Sequence, residues 1–293
     1  MTVTEGAAAT TTNAVFTVSL SKPTDQVVTV QYQTADGTST IANGDYVASS
    51  GTLTFTAKVP TQQLTVVVNG DTRNEANETF FVNLSNPTGG PTIGDGQGVG
   101  TITDDDATPT LTISPSPASL NVIEGNAGTT PAVFTVTLSA VSGQTVTVNY
   151  ATADGTARVD NGDYTALSGT LTFPAKGATT QQITVQVAGD TRQESNETIT
   201  VTLSGAVNAT IAGTGVGTIL ILNDDGPPTL TINDATVSEG NAGTTNAVFT
   251  VTLSPVSGLN ATVNYSTTDS TAKLANNDYV AASGTLTFPA RAP

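Results

Sequence analysis

The chain of 293 residues carries 24 Asp and Glu against 8 Lys and Arg, a net charge of −16, and contains neither cysteine nor histidine. Its length suggests two or three domains, and the missing residue types exclude disulfide frameworks, thiol nucleophiles, the usual zinc sites and every histidine-dependent triad. The acidity argues against nucleic acid or anionic membranes as partners, and no apolar run approaches the roughly 20 residues needed for membrane insertion.

Taken from the start, Met1–Gly6 shows no basic segment followed by an apolar one, so no signal peptide is expected within this chain. The first motif is Val-x-Glu-Gly at 3–6, which returns at 122–125 and 237–240. Ala-Val-Phe-Thr-Val follows at 14–18, 132–136 and 247–251, and Gly-Thr-Leu-Thr-Phe at 51–55, 169–173 and 284–288. Glu5, Glu124 and Glu239 lie 119 and 115 residues apart. Such a period is a whole domain repeated, far longer than a solenoid turn. The expected division is therefore 1–106, 107–226 and 227–293.

Within a copy the residues read as all-β. Thr and Val dominate, and apolar positions alternate with polar ones. In the first copy strands are expected near 14–20, 27–35, 52–55, 62–69, 79–85 and 98–103. A leading strand, Thr-Leu-Thr-Ile, occurs at 110–113 and 229–232 but is missing from copy one. Gly, Pro, Asn and Asp clusters separate the runs. About seven short strands per complete copy predict tandem immunoglobulin-like antiparallel β-sandwiches, each able to bury its own core. Copy three ends before the last three strands of the pattern, so it is expected to be unstable alone. The array reads as a piece of a longer protein.

The acids follow from this topology. If successive strands run antiparallel, loops alternate between the two ends of the sandwich. Glu5, Asp45, the group Asp71, Glu75 and Glu78, and the run Asp104, Asp105 and Asp106 then converge on one end. Copy two repeats them as Glu124, Asp163, Asp190, Glu194, Glu197, Asp224 and Asp225, and copy three retains only Glu239 and Asp278. These columns hold 17 of the 24 acids, so the acidity is localised. Oxygen ligands from several flexible loops suit Ca²⁺, which accepts 6–8 oxygens. Without an ion such carboxylates should raise one another's pKa. The alternative, a solvated acidic cap, suits one Glu-x-x-Glu better than four converging groups that recur. Asp36-Gly37 and Asp154-Gly155 read as turns, and Tyr46, Tyr164 and Tyr279 as packed aromatics. The sequon Asn77-Glu-Thr reads as chance in a Thr-rich chain.

Together with Gly-Asp-Tyr at 44–46 and 162–164 and Gly-Asp-Thr-x-x-Glu-x-Asn-Glu at 70–78 and 189–197, these motifs resemble the Calx-β domain over essentially the whole chain. The resemblance implies a seven-stranded sandwich with Ca²⁺ at the distal loops, its ligands matching the acids named above. Copy two departs from the pattern. It reads as having two extra residues in its last strand and Asn223 in place of Asp104. Copy three is expected to lack a complete site.

Three functions follow as expectations. The first is a calcium-stiffened structural or adhesive module of a larger extracellular or cell-surface protein. Its partners are the neighbouring repeats and, in the adhesive case, a surface protein or glycan. The second is a calcium-independent spacer or a carbohydrate- or protein-binding sandwich. A glycosidase using two carboxylates is the remote third, disfavoured because the acids recur in each complete copy and no Trp is present. The chain is thus expected not to be an enzyme.

Overall fold

The computed structural model describes residues 1–290; the last three residues of the third copy lie outside it. Repeat 1 contains β1 (Thr2–Thr4), β2 (Thr11–Ser19), β3 (Val28–Asp36), β4 (Ser50–Phe55), β5 (Thr61–Asn69), β6 (Glu78–Thr88) and β7 (Gln97–Thr103). One sheet has the order β1-β7-β6-β3-β4 and the other is the antiparallel pair β2-β5. Every pairing is antiparallel except β1 with β7. The alternation in the sequence becomes burial alternation. Leu64, Val66 and Val68 of β5 face Phe80 and Val82 of β6 and Val28 and Val30 of β3 across the core, while the intervening Thr65 is exposed. Each such buried branched or aromatic side chain contributes about 1.5–3 kcal/mol through lost apolar exposure.

Repeat 2 has β8 (Thr110–Ser114), β9 (Leu120–Ile123), β10 (Thr129–Leu138), β11 (Val146–Asp154), β12 (Ser168–Phe173), β13 (Thr180–Ala188), β14 (Glu197–Val207), β15 (Thr210–Ile211) and β16 (Val216–Leu222). The segment leading into the domain changes sheets. Thus β8 joins β13-β10-β8-β15, and β9 completes β12-β11-β14-β16-β9. This switch and the two-residue β15 account for the strand segments beyond the expected seven.

Leu111 and Ile113 of β8 are buried against Phe134, Val136 and Leu138. Their counterparts in repeat 1, Phe16, Val18 and Leu20, are only partly buried. They border an open groove of about 910 Å³ on the flank where β8 lies in repeat 2.

Register corrects one reading of the last strand. Glu78 pairs with Ile102 and Glu197 with Ile221, the same separation in both repeats. The strand therefore carries no extra residues; Gly100 is matched by Ile219. Opposite them stand Phe80 and Ile199, so a large–small pair in one repeat is replaced by two medium residues in the other. All of Phe80, Ile199 and Ile219 are fully buried.

Repeat 3 has β17 (Thr229–Ile232), β18 (Val251–Ser254), β19 (Ala261–Ser266) and β20 (Ser283–Phe288), paired as β17-β18 and β19-β20. Among the described residues it has no counterpart of β5 or β13, and residues 233–250 form no strand. Phe249 and Val248 are accordingly 52% and 72% exposed, against 0% for Phe134 in repeat 2.

Candidate metal centre

The strand directions bring the acidic columns of each complete repeat to one end. Asp45 lies in the loop after β3. That loop is pinned by Asp36, which accepts hydrogen bonds from Tyr46 Oη at 2.6 Å and from Ile41 N at 3.1 Å. Asp45 Oδ2 itself accepts from Thr40 N at 2.7 Å. The Asp-Gly positions thus act as anchors for the loop. Tyr46 is buried and stacks on Phe80 with ring centroids 4.8 Å apart, as a packed aromatic should. Repeat 2 reproduces the arrangement through Tyr164 and Asp154, and repeat 3 through Tyr279 and Asp269.

Two groups of carboxylates form in repeat 1. Glu5, Asp71 and Asp106 offer oxygens within 4.8 Å of one another, and so do Asp45, Glu75 and Glu78. Repeat 2 has the second group as Asp163, Glu194 and Glu197. The counterparts of the first, Glu124, Asp190 and Asp225, share that end and repel one another without closing to the same spacing. Glu75 Oε1, Asp106 Oδ2, Glu124 Oε1 and Asp225 Oδ2 are buried without a hydrogen-bond partner. Such orphaned acceptors are costly unless a cation meets them. These donors are all hard oxygens, which fits Ca²⁺.

The remaining acids have other tasks. Asp104 Oδ1 accepts from Glu75 N at 2.9 Å, and its Oδ2 from Asn74 Nδ2 at 3.0 Å. Asp105 accepts from Gly6 N at 3.2 Å, as Asp224 does from Gly125 N at 3.1 Å. Asn223 in repeat 2 takes over the position of Asp104, its Oδ1 accepting from Glu194 N at 2.9 Å. The tether needs an acceptor rather than a charge, which explains how Asn serves. Asn74 Nδ2 also holds the Asp106 carbonyl at 3.2 Å; in repeat 2 Asn223 Nδ2 holds that of Asp225 at 3.0 Å. Asn77 and Asn196 accept from the backbone of residues 104 and 223, both at 3.1 Å. The apparent chance sequon at Asn77 therefore includes a structural acceptor.

Burial first, then neighbouring charge, makes this end hold protons. Glu5 is pushed from the ordinary 4.5 up to about 7, by burial and by Asp71, Asp106 and Asp104, against a backbone hydrogen bond from Asp71. Glu78 rises to about 8 through burial and its contact with Asp45. Glu124 and Glu197 rise to about 7, and Glu75, Glu194, Asp106 and Asp225 rise in the same way.

Internal cations answer part of this charge. Arg73 pairs with Asp71 at 2.8 Å, whereas Arg192 spans Asp190 at 3.3 Å and Glu194 at 3.2 Å. Glu75 instead meets Lys176 of repeat 2 at 3.4 Å, an ion pair whose geometry is not that of a hydrogen bond. Sequence reasoning missed these partners. In repeat 3 Glu239 and Asp278 are exposed and belong to no group of three acids among the described residues.

A repeated β-sandwich whose complete copies gather carboxylates at one end, close enough together that they could hold a metal ion, defines a class of tandem modules. The chain belongs to the Calx-beta domain family, whose model matches residues 2–107, 104–225 and 224–292. Solved structures similar to it include CBD12 from CALX1.2, at 20% identity and a TM-score of 0.35, covering 75% of this chain and 95% of that one. The calcium binding domain CBD12 of CALX1.1 is 18% identical, with a TM-score of 0.35 and coverage of 76% and 96%. The apo-form Calx CBD1 domain is 26% identical, with a TM-score of 0.35 and coverage of 41% and 100%. No individually curated protein matches the chain. Among the described residues no helix is long and apolar enough to cross a membrane.

Proposed function

We propose that the chain is a calcium-binding, non-catalytic array. Ca²⁺ held by Glu5, Asp71 and Asp106 and by Asp45, Glu75 and Glu78 orders the junction to the next repeat. The Asp163, Glu194 and Glu197 group acts likewise at the second junction. The observation that carries this reading is the roof over each cup. Repeat 2 touches Glu75 through Lys176 and bonds the adjacent Asn74 carbonyl through Gly143 N at 3.1 Å. An ion at Glu75 would thus change the stiffness of a contact between domains. The same roof argues against a glycosidase, since repeat 2 stands over Glu75 and Asn74 where a sugar chain would have to lie. In this reading the array is a structural or adhesive segment of a larger extracellular or cell-surface protein.

Calorimetric titration of Ca²⁺ combined with small-angle scattering tests the proposal. Binding in both complete repeats, with a narrower or longer shape than in chelator, is the expected result. Binding that leaves shape and melting temperature unchanged would reduce the array to a calcium-independent spacer.

A further inference from the structure

Both junctions are closed by the same short loop at the base of the following repeat. In repeat 2 it joins β10 to β11. Gly143 N donates to Asn74 O at 3.1 Å, Ser142 Oγ donates to the same carbonyl at 3.3 Å, and Gln144 N caps Ser142 Oγ at 3.1 Å. In repeat 3 the loop joins β18 to β19. Gly258 N donates to Gln193 O at 3.1 Å, Ser257 Oγ to that carbonyl at 3.5 Å, and Leu259 N to Ser257 Oγ at 3.0 Å. Ser142 and Ser257 are each only 3% exposed.

Neither glycine has a positive φ, so backbone conformation does not require glycine there. Space does. A Cβ on Gly143 would overlap Oε1 and Cγ of Glu75, and one on Gly258 would lie 2.7 Å from Glu194 Cγ and 2.8 Å from its Oε1. The glycine is where one repeat lies directly against the carboxylate of the repeat before it.

Repeat 1 carries the same loop between β2 and β3 with the same internal bonds. Gln26 N donates to Thr24 Oγ1 at 3.1 Å, and Lys58 N to Thr24 O at 2.9 Å, matching Lys176 N to Ser142 O at 2.8 Å. Thr24 thus stands for Ser142, and Asp25 for Gly143. At the point of contact repeat 1 places both bulk and a negative charge.

We propose that the Ser-Gly pair is a docking key that seats the base of one repeat on the acidic cup of another, and that Asp25 bars repeat 1 from being seated in this way. Repeats 2 and 3 are followers; the base of repeat 1 keeps Lys58 where Lys176 stands, but its Asp25 meets the carboxylate at the point of contact with overlap and like charge. The order of repeats is then encoded in one residue of the base loop. The inference rests on the junction reading above for the identity of the cup, but not on the ion.

The test uses the full chain, whose lack of cysteine allows clean labelling. Spin labels at the exposed positions Thr65→Cys and Thr184→Cys report the first junction, and Thr184→Cys with Thr285→Cys the second. Distance distributions are measured in chelator and in Ca²⁺. Gly143→Asp should broaden and shift the first distribution in chelator while leaving the second unchanged. Gly143→Asn, equal in size but uncharged, should fall between it and the parent. Asp25 already occupies this position in repeat 1 with the loop bonds intact, so the substitutions suit the loop's own fold. Gly143→Ala supplies a milder variant should Gly143→Asp lower the melting of repeat 2. Superimposable first-junction distributions for all three variants and the parent would overturn the proposal. A parent unaffected by Ca²⁺ alongside an opened Gly143→Asp would remove the calcium reading and leave the docking key standing.

Discussion

Replacing Glu5 by Gln separates a cup that stores repulsion from one that is merely acidic. Glu5 is 7% exposed, and its carboxyl is raised from 4.5 to about 7. That rise corresponds to about 3 kcal/mol against the charged form in the folded state. The sign follows from linkage. Below the unfolded value near 4.5 the group is protonated in both states and costs nothing. As pH climbs from there to the folded value near 7, the unfolded chain ionises freely while the folded state keeps its proton against burial, and stability is lost; above it the full penalty applies. Gln removes the charge but retains a polar group to bury, so about half the penalty should be recovered. Scanning calorimetry in chelator at pH 8 should therefore place repeat 1 of the variant about 1–2 kcal/mol above the parent, or roughly 5–10 °C in melting temperature. At pH 4.5 the two should coincide. Saturating Ca²⁺ should reverse the order, because an ion at 100 times its dissociation constant adds about 2.7 kcal/mol to the parent. A variant less stable than the parent in chelator at pH 8 would refute the reasoning.

The other glutamates extend the same logic. Glu78 near 8 and Glu124 and Glu197 near 7 must lose protons to meet a cation, so Ca²⁺ affinity should rise steadily from pH 5 to pH 8. Titrations in buffers of different ionisation enthalpy should show protons released on binding; equal apparent enthalpies would count against it. Lys176→Met removes a half-exposed cation 3.4 Å from Glu75. By the usual worth of such pairs, about 0.5–1 kcal/mol, Ca²⁺ affinity in repeat 1 should increase about two- to fivefold while repeat 2 is unchanged. In the core, a Cβ on Gly100 would overlap the Phe80 ring. Gly100→Ile alone should cost about 3 kcal/mol or more, whereas Phe80→Ile with Gly100→Ile, the pair that repeat 2 uses as Ile199 and Ile219, should come within about 1.5 kcal/mol of the parent. Denaturant unfolding of the single and double variants gives the coupling directly.

The parts of the fold that were legible in the sequence are those set by local periodicity. Alternating Leu64, Val66 and Val68 mark a half-buried strand whatever their partners are, and seven such runs mark a sandwich. The gathering of Asp45, Glu75 and Glu78 also follows from strand direction alone, because antiparallel connections leave only two ends. Register was not legible. Gly-Thr-Ile occurs in both last strands, at 100–102 and 217–219, and aligning on it suggests an insertion. The pairings align Gly98 with Gly217 instead, where both glycines lie against a phenylalanine, Phe16 or Phe134. Nor could the pattern reveal Asn74, which touches Ser142 across 68 positions of chain, or Lys176, which reaches an acid of another repeat. Those contacts depend on how two domains meet, and no periodicity within either one records it.

The described residues of repeat 3 form the base of a repeat without its acidic end. Its apolar residues stand open, with Phe249 at 52% and Val280 at 80% exposure, and it gathers no acidic cup among the described residues. Yet its base loop makes the same bonds to Gln193 that the base of repeat 2 makes to Asn74. The reason lies in the chain order of the parts. The base needs only the loop from β18 to β19, supported by β17 and β20, all within the first part of the repeat pattern. The cup instead needs acids from the beginning, the middle and the end of a complete copy. The residues described for repeat 3 therefore suffice to cover the carboxylates of repeat 2. Glu194, which in repeat 2 is already spanned by Arg192, is covered by Gly258 in this way. Covering a cup and forming one thus draw on different parts of the same fold, and the covering needs only the residues described for repeat 3.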